Sequence, residues 1–133
     1  MTPNRLFAIA LAAALGAAAS AAGAATPQGL LADYSAAAGA APQVARGQQL
    51  FTSRHGREWS CASCHGNTPV QEGRHASTGK PIGALAPAFN AQRFTDPAKV
   101  EKWFRRNCND VVGRECTATE KADVLAWLSS LKP

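Results

Sequence analysis

The sequence predicts an all-α fold, and three of its features lead to that class. Apolar residues recur at helical spacing in separate segments, which begin near prolines or capping residues. No segment alternates apolar and polar residues as a half-buried strand would. A motif with two cysteines, Cys61-Ala62-Ser63-Cys64-His65, lies between two of these segments and precedes a long stretch that contains several glycines and prolines. We therefore expect one small helical domain built around that motif.

Residues 1–25 have the pattern of an export signal. A short basic start at Asn4-Arg5 precedes an apolar run from Leu6 to Ala19, and small residues that suit cleavage follow. The run is short for a membrane span, although an uncleaved anchor is the alternative. We expect cleavage, a mature domain over residues 26–133 without a membrane span, and a periplasmic location, which is an oxidising compartment.

The first two helices are predicted from the residues at their ends. Thr26-Pro27 is a start signal for a helix that runs to Gly39, because proline is favoured in the first helical turn. A second helix is expected from about Pro42 to His55, with Gly56 as its stop. One face of this second helix carries Val44, Gly47, Leu50 and Phe51.

The last two helices have stronger signals. Asp96-Pro97 begins a helix that is expected to run to about Val111. Thr117 and Glu120 form a capping box, in which the hydroxyl and the carboxylate satisfy free backbone amides reciprocally, and the last helix follows. Its apolar side consists of Ala118, Ala122, Leu125, Trp127, Leu128 and Leu131. Residues 66–95 show no periodicity, so a long irregular loop is expected there.

The motif at residues 61–65 is typical of covalent haem c attachment. Residues i and i+3 of a helical turn share a face, so the sulfurs of Cys61 and Cys64 can reach the vinyl groups on one edge of the macrocycle. His65 is then the proximal iron ligand. A zinc site would need a second pair at the same spacing, which Cys108 and Cys116 lack, and a thioredoxin-like redox pair would need a βαβ context. We expect one covalent haem c, with the 66–95 loop folded over it.

A haem at this position suggests the architecture of a small cytochrome c, in which the first core helix crosses the last one closely. Gly47 and Phe51, packed against Trp127 and Leu128, are the predicted contact. A mature domain of about 108 residues is marginal by burial of its own side chains, and the apolar haem would supply much of the missing core.

The charge of the mature chain narrows the choice of partners. Removal of Arg5 reduces the 14 basic side chains to 13, against 9 acidic ones, for a net charge of +4. This excess could attract an acidic redox partner. The sequence contains no nucleic-acid-binding motif, and export argues against a role with nucleic acid.

The second axial ligand is not a methionine, because Met1 is the only one and is removed with the signal. His55, His75, a lysine, an uncharged oxygen or nitrogen donor, or an open position remain. Asn107 is a specific candidate, since it is a polar amide in an otherwise apolar helical stripe. A buried amide without a partner costs roughly 1–3 kcal/mol, so a partner is expected. That partner is either the iron or a hydrogen-bond acceptor such as a backbone carbonyl or a haem propionate. The stripe consists of Val100, Trp103, Phe104, Asn107, Cys108 and Val111.

Two basic residues in or next to the long loop, Lys80 and Arg93, are candidates for contacts to the haem propionates. The alternative is that both are solvated surface charges.

Several stretches together resemble the sphaeroides haem proteins (SHP), exported monohaem cytochromes c with a class I-like fold. The resemblance covers nearly all of the mature chain, and its most specific part is Trp103-Phe104-Arg105-Arg106-Asn107-Cys108 followed by Cys116. The other matching stretches include Ala45-Arg46-Gly47, the haem motif, His75-Ala76-Ser77-Thr78-Gly79-Lys80, Arg93-Phe94-Thr95-Asp96 and Gly113-Arg114-Glu115.

The resemblance implies roles for the matching residues. Asn107 corresponds to an asparagine that ligates ferric iron and leaves on reduction, and Cys108 and Cys116 correspond to a disulfide beside it. Members of the family bind small diatomics such as O2, NO and CO at the vacated position, which would be lined here by Trp103 and Phe104. They exchange electrons with a dihaem cytochrome c, so that or another redox partner is expected.

The expected function is therefore a haem protein that binds or processes a gas through a redox-labile asparagine. Reduction of oxygen or peroxide and conversion of NO to nitrate are the reactions it would catalyse if it is an enzyme. A plain electron carrier with bis-histidine ligation through His75 is the alternative. A sensor whose ligand state is passed to a partner is a third interpretation.

Overall fold

The computed structural model describes residues 25–133, and the predicted export signal, apart from Ala25, lies outside the described residues. Within that range no helix has the length and apolar character needed to cross a bilayer. The elements, in chain order, are α1 (Pro27–Ala38), α2 (Val44–Thr52), α3 (Ala62–His65), β1 (Gly73–Arg74), β2 (Pro81–Ile82), α4 (Pro97–Val111) and α5 (Ala118–Ser130).

Helix α5 is the centre of the packing, because residues 122–128 are all buried. The predicted capping box begins it: Thr117 Oγ1 accepts from the Glu120 amide at 3.2 Å, and Glu120 Oε2 accepts from the Thr117 amide at 2.8 Å. Helix α1 packs against α5 and contributes Leu30 and Tyr34 to the core. The ends of α1 lie where the sequence predicts them.

Helices α2 and α5 cross at Gly47. A Cβ at this position would overlap the backbone carbonyl of Asp123, so the close approach of the two helices requires glycine. Beside the crossing, the ring centroids of Phe51 and Trp127 are 4.9 Å apart, and both side chains are buried. The predicted contact between the first core helix and the last one is confirmed.

Asp123 is a buried carboxylate at the same crossing, and sequence reasoning missed it. Its Oδ1 accepts from the Gln43 amide at 2.6 Å and from Arg46 Nη2 at 3.0 Å, and its Oδ2 accepts from Arg46 Nε. A buried charge is tolerated only when it is paired and hydrogen-bonded, and here both conditions hold. The carboxylate therefore ties the start of α2 to α5.

Helix α4 begins where predicted, with Asp96 Oδ1 accepting from the Lys99 amide at 3.1 Å. Val100, Cys108 and Val111 are its buried residues. Across the described chain, the backbone of α4 does not run closely alongside another helix, in contrast to α1 and α2, which both pack along α5. Individual side chains connect α4 to the other helices.

Two predictions about the middle of the chain are wrong. Helix α2 ends at Thr52 rather than near His55, because Ser53 is already extended with ψ 151°. His55 lies beyond the helix and its Nε2 donates to the Leu50 carbonyl at 2.8 Å. The 66–95 segment is not wholly irregular either, since β1 and β2 form a short antiparallel hairpin with Gly73 opposite Ile82.

Candidate functional site

The haem motif lies on a helical turn whose backbone amides are satisfied locally. The Ser63 amide donates to the Ser60 carbonyl at 3.1 Å, and the amides of Cys64 and His65 both donate to the Cys61 carbonyl, at 3.3 and 3.1 Å. Ser63 Oγ in turn accepts from the Ser60 amide at 3.0 Å. This turn places the two cysteines one helical turn apart, as the sequence predicts.

Both cysteines of the motif are half-buried, and neither is joined to another cysteine. Cys61 packs against the hydrophobic core, and burial, as the largest cause, raises the pKa of its thiol to about 11. Cys64 Sγ accepts a hydrogen bond from the Ala76 amide at 3.2 Å, which fastens the hairpin region to the motif. The surroundings of Cys61 therefore favour an uncharged sulfur.

His65 has the properties of a neutral metal ligand. Burial, and to a lesser extent the positive charge of Arg93, lower the pKa of its imidazole to about 4. Its ring lies beside Phe51, with centroids 6.0 Å apart. Neither ring nitrogen makes a hydrogen bond to another residue in the range 25–133. A neutral imidazole with an unshared nitrogen is the donor that haem iron takes on its proximal side.

The hairpin is pressed against the motif at Gly73. A Cβ on this residue would overlap the Cys64 carbonyl and lie 3.0 Å from His65 Cα, so only glycine fits. His75 follows in the turn of the hairpin, where its amide donates to the Lys80 carbonyl at 2.9 Å. Its Nδ1 accepts from the Thr78 amide at 3.3 Å. The ring of His75 is thus held within its own turn through Nδ1.

Arg93 fastens the other end of the long loop. Its Nε donates to the Ala84 carbonyl at 2.9 Å and its Nη2 to the Gly83 carbonyl at 2.6 Å. Burial lowers the pKa of its guanidinium below the usual value. Two of its donors are therefore engaged by the backbone, whereas Lys80 is exposed and its ammonium makes no ion pair within the described chain. Propionate contacts of Lys80 and Arg93 stay predictions.

Asn107 differs from the asparagines Asn90 and Asn109 in its hydrogen bonding. Its half-buried carboxamide makes no hydrogen bond to any residue from 25 to 133. Asn90 Nδ2 donates to the Ala84 carbonyl at 3.2 Å, and Asn109 Nδ2 donates to the Arg105 carbonyl at 2.7 Å. The backbone carbonyl that sequence reasoning weighed as a partner for Asn107 is not found. Its carboxamide remains free to bind a group outside the polypeptide.

The residue after Asn107 joins α4 to the start of α5. Cys108 and Cys116 form a disulfide with their Cα atoms 5.7 Å apart, and both residues are buried. Two residues before Cys116, Arg114 donates through two guanidinium nitrogens to the two carboxylate oxygens of Glu120, each at 2.8 Å. The C-terminal end of α4, next to Asn107, is thereby tied to the capping box of α5.

The two aromatic residues predicted beside Asn107 have different surroundings. Phe104 is half-buried and packs edge-on against Tyr34, with ring centroids 5.9 Å apart. Trp103 is 43% exposed and is flanked by Lys102 and Arg106, at 5.9 and 5.7 Å from its ring centroid. Phe104 therefore connects α4 to α1, whereas Trp103 lies at the rim of this helix face.

Sequence reasoning also missed a polar link between three helices. Glu101 of α4 accepts from the hydroxyl of Tyr34 at 2.6 Å and from the ammonium of Lys121 at 2.7 Å. The partners are 67 and 20 residues away in sequence. Helical spacing within α4 places Glu101 beside Phe104, but no sequence signal pairs it with residues of α1 and α5.

The residues of the motif fit a covalent haem. The set consists of two cysteines one turn apart that form no disulfide, and a neutral imidazole whose nitrogens are unshared in the described chain. Several apolar side chains elsewhere in the chain, including Leu85 and Phe104, are only partly buried although they pack against the core. Both properties suit a large apolar cofactor attached at Cys61 and Cys64.

Known proteins share both the sequence and the fold. A family model described as a domain of unknown function (DUF1924) matches residues 37–128. The cytochrome c-type protein SHP of Cereibacter sphaeroides is 50% identical over 113 residues, which cover 82% of this chain and 87% of that protein.

Solved structures agree with the sequence matches. The structure of oxidised SHP, described as an oxygen-binding cytochrome c, superposes with a TM-score of 0.77 at 49% identity, covering 82% of this chain and 100% of that chain. The solution structure of Methylophilus methylotrophus cytochrome c'', whose description concerns haem-ligand detachment, has a TM-score of 0.72 at 35% identity. It covers 80% of this chain and 94% of that chain. The predicted class I cytochrome c-like fold is confirmed, and the domain carries a single covalently attached haem c.

Proposed function

The chain belongs to the family of sphaeroides haem proteins, and from that membership we propose that it binds a small neutral gas at an iron position from which Asn107 departs on reduction. Its role as a monohaem cytochrome follows from the family. The identity of the second ligand and the consequences of its release are the proposal. A relative described as oxygen-binding supports O2 as one of the gases.

The observation that carries the proposal is the half-buried carboxamide of Asn107, which makes no hydrogen bond to a protein group within residues 25–133. Asn90, which is also half-buried, and the exposed Asn109 each donate a hydrogen bond through Nδ2 to a backbone carbonyl. Asn107 has no such partner among residues 25–133, and it shares an α4 face with the buried Val100 and Val111. A bond from its Oδ1 to iron would occupy the carboxamide oxygen without any protein donor.

The chemistry of the carboxamide explains why the bond would depend on oxidation state. An amide oxygen is a hard, neutral and weak donor, which ferric iron accepts and the softer ferrous iron does not favour. A methionine thioether would have the opposite preference and would keep the position closed after reduction. The amide has no proton to exchange near neutral pH, so release should follow the redox state rather than the pH.

The remaining residues have fixed supporting roles in this proposal. Cys61 and Cys64 attach the cofactor, and His65 holds the proximal side with a neutral imidazole. When bound, the haem supplies the iron that changes oxidation state and takes the gas. Trp103 and Phe104 border Asn107 on α4 and would keep the released position apolar, which suits an uncharged diatomic such as O2, NO or CO.

The setting of the protein is part of the same proposal. Residues 1–25 would direct it to the periplasm, and Lys80 and Arg93 would contact the haem propionates. A dihaem cytochrome c or another redox partner would reduce it, and the net charge of +4 on the mature chain favours an acidic surface on that partner. Reduction of oxygen or peroxide and conversion of NO to nitrate stay predictions.

Titration of the reduced holoprotein with carbon monoxide tests the proposal. We expect the ferrous absorption spectrum to change on addition of CO, because the position vacated by Asn107 is open. We also expect Asn107→Ala to change the ferric spectrum and His75→Ala to leave it unchanged. A low-spin ferrous form that ignores CO, or a ferric spectrum that responds only to His75→Ala, would show a bis-histidine electron carrier instead.

A further inference from the structure

Helix α4, which carries Asn107, is connected to the other helices by a small group of side chains near its middle. The group consists of Tyr34 on α1, Glu101 and Phe104 on α4, and Lys121 on α5, and is called the Lys121 cluster here. Outside this cluster, α4 is fixed by its buried apolar residues, by the cap at Asp96 and by the disulfide at its C-terminal end.

Lys121 contacts every other member of the cluster. Its ammonium donates to Glu101 Oε2 at 2.7 Å and lies 5.6 Å from the ring centroid of Tyr34 and 5.8 Å from that of Phe104. The Tyr34 hydroxyl donates to the other oxygen of Glu101 at 2.6 Å. One cation therefore binds a carboxylate and two aromatic faces at once, and it does so across three helices.

The burial of the Lys121 side chain strengthens its contacts with Glu101 and the two rings. The side chain of Lys121 is only 15% exposed, so its ammonium depends on Glu101 and on the two rings for the solvation it has lost. Burial and then the hydrogen bond to Glu101 raise the pKa of Tyr34 above its ordinary value. Although burial opposes it, hydrogen bonds from Lys121 and Tyr34 hold the pKa of Glu101 below its usual range.

Phe104 links the cluster to the ligand. It precedes Asn107 by three residues, so the two side chains lie on neighbouring positions of one helix face. Tyr34 and Lys121 fix the ring of Phe104 from the side of α1 and α5. Because a helix moves as a stiff unit over one turn, a shift of Phe104 away from Lys121 would carry the Asn107 carboxamide with it.

We propose that Lys121 is a positioning residue, which holds α4 through Glu101 and Phe104 and thereby sets how readily Asn107 leaves ferric iron. The inference rests on the proposed ligation by Asn107. It assigns the strength of that weak bond to the side-chain contacts that connect α4 to α1 and α5.

The test compares Lys121→Met with Lys99→Met in the haem-loaded ferric protein. Lys99 is an exposed lysine in the first turn of α4 and makes no ion pair in the described chain, so its substitution matches the change in charge and side-chain type. Imidazole is the probe, because it binds ferric iron at the rate at which the protein ligand leaves. Hydrogen exchange of peptides from residues 97–111 reports the mobility of α4 independently of the haem.

In Lys121→Met we expect imidazole to bind at least about tenfold faster, equivalent to about 1.4 kcal/mol, and α4 amides to exchange faster. Lys99→Met should match the wild type in both measurements. Lys121→Arg should also stay close to the wild type, because it keeps the cation. Arg46→Met breaks the pairing with Asp123 at the α2–α5 crossing and serves as a destabilised variant that leaves α4 untouched.

The outcomes separate the inference from the proposed function. Equal imidazole rates in Lys121→Met and wild type, or an equal acceleration in Arg46→Met, would overturn the positioning role while leaving Asn107 as the ligand. A ferric spectrum that Asn107→Ala does not change would overturn the proposed function itself, whatever the Lys121 variants do.

Discussion

The haem-attachment turn and helix α4 are held in place by different kinds of interaction. In the turn and its hairpin, residues 60–82, backbone atoms contact backbone atoms: the amides bond within the turn, and Gly73 lies against the Cys64 carbonyl. Helix α4 depends instead on individual side chains, namely the Lys121 cluster and the disulfide. A noncovalent side-chain contact can rearrange with less change to the fold than a close backbone contact can.

This difference suits an iron centre whose two axial positions have unequal strength. His65 belongs to the backbone-packed region, and its neutral imidazole has no protein partner within residues 25–133 that competes for it. Asn107 belongs to the helix that is held by side chains. The comparison predicts that substitutions in the first region disturb attachment and stability together, and that those in the second mainly change ligand release.

The largest effect is expected on the attachment side, from Gly73→Ala. The added Cβ would overlap the Cys64 carbonyl, and overpacking of this kind typically costs about 1–3 kcal/mol, here near the upper end because both partners are backbone. Thermal unfolding of the ferric holoprotein measures the loss, and the haem content after expression reports the effect on attachment.

Gly83→Ala is the matched control for Gly73→Ala. Its added Cβ would lie 3.5 Å from Asn90 Nδ2, an ordinary contact in the same loop. We expect a change within about 0.5 kcal/mol. Equal melting of the two variants would mean that the hairpin is not tightly packed on the motif, and the contrast between the two regions would fail.

The next effect is expected at the disulfide, on the α4 side. Replacing Cys108 and Cys116 by serine removes the closure of a short loop, which stabilises by about 2.5 kcal/mol in the entropic model. Because the bridge follows Asn107 directly, we also expect faster imidazole binding to the ferric protein. Cys116→Ser alone breaks the same bond and should melt like the double variant.

A disulfide variant that melts earlier but binds imidazole at the wild-type rate would weaken the comparison. It would show that the C-terminal end of α4 contributes to stability without influencing the ligand. The middle of the helix, with Lys121 and Glu101, would then be the sole attachment that matters for release.

The ends of helices could be predicted from the sequence where a capping residue, proline or glycine marks them. Asp96-Pro97 and the Thr117–Glu120 box predicted two helix starts correctly, because caps act within one turn. The end of α2 was missed, since Ser53-Arg54-His55 contains no glycine or proline to mark it. The hairpin was missed because strands of two residues are too short to show a period of two.

The residues of the candidate site also differ in how far the sequence alone identifies them. The attachment residues Cys61, Cys64 and His65 are contiguous, so the sequence alone identifies them. Asn107 could be singled out as a polar residue in an apolar stripe, but its lack of a hydrogen-bond partner is visible only in the structure. The Lys121 cluster joins residues far apart in sequence, and no local pattern predicts such a pairing.

The smallest effect is expected from Glu120, which fastens the turn that carries Cys116, the far end of the α4 disulfide. Hydrogen bonds from Arg114, and then one from the Thr117 amide, lower the pKa of Glu120 to about 2. Burial of the carboxyl acts in the opposite direction but is outweighed. An unfolded glutamate titrates near about 4.3, so the folded state binds its proton less readily. The resulting stability is present above about pH 4.3 and is lost as the pH falls toward about 2.

Glu120→Gln should therefore lower the unfolding temperature at pH 7 and reduce its fall between pH 5 and pH 2. The loss is expected to be about 1 kcal/mol, the usual value of a helix cap, because Arg114 is exposed and its pairing is screened by solvent. Glu115→Gln, which removes a carboxylate from the exposed pair with Arg105, is the control and should change stability by less than about 0.5 kcal/mol. If Glu120→Gln keeps the full acid dependence of the wild type, the cap does not help to hold the Cys116 turn, and the disulfide is fixed at its α5 end without it.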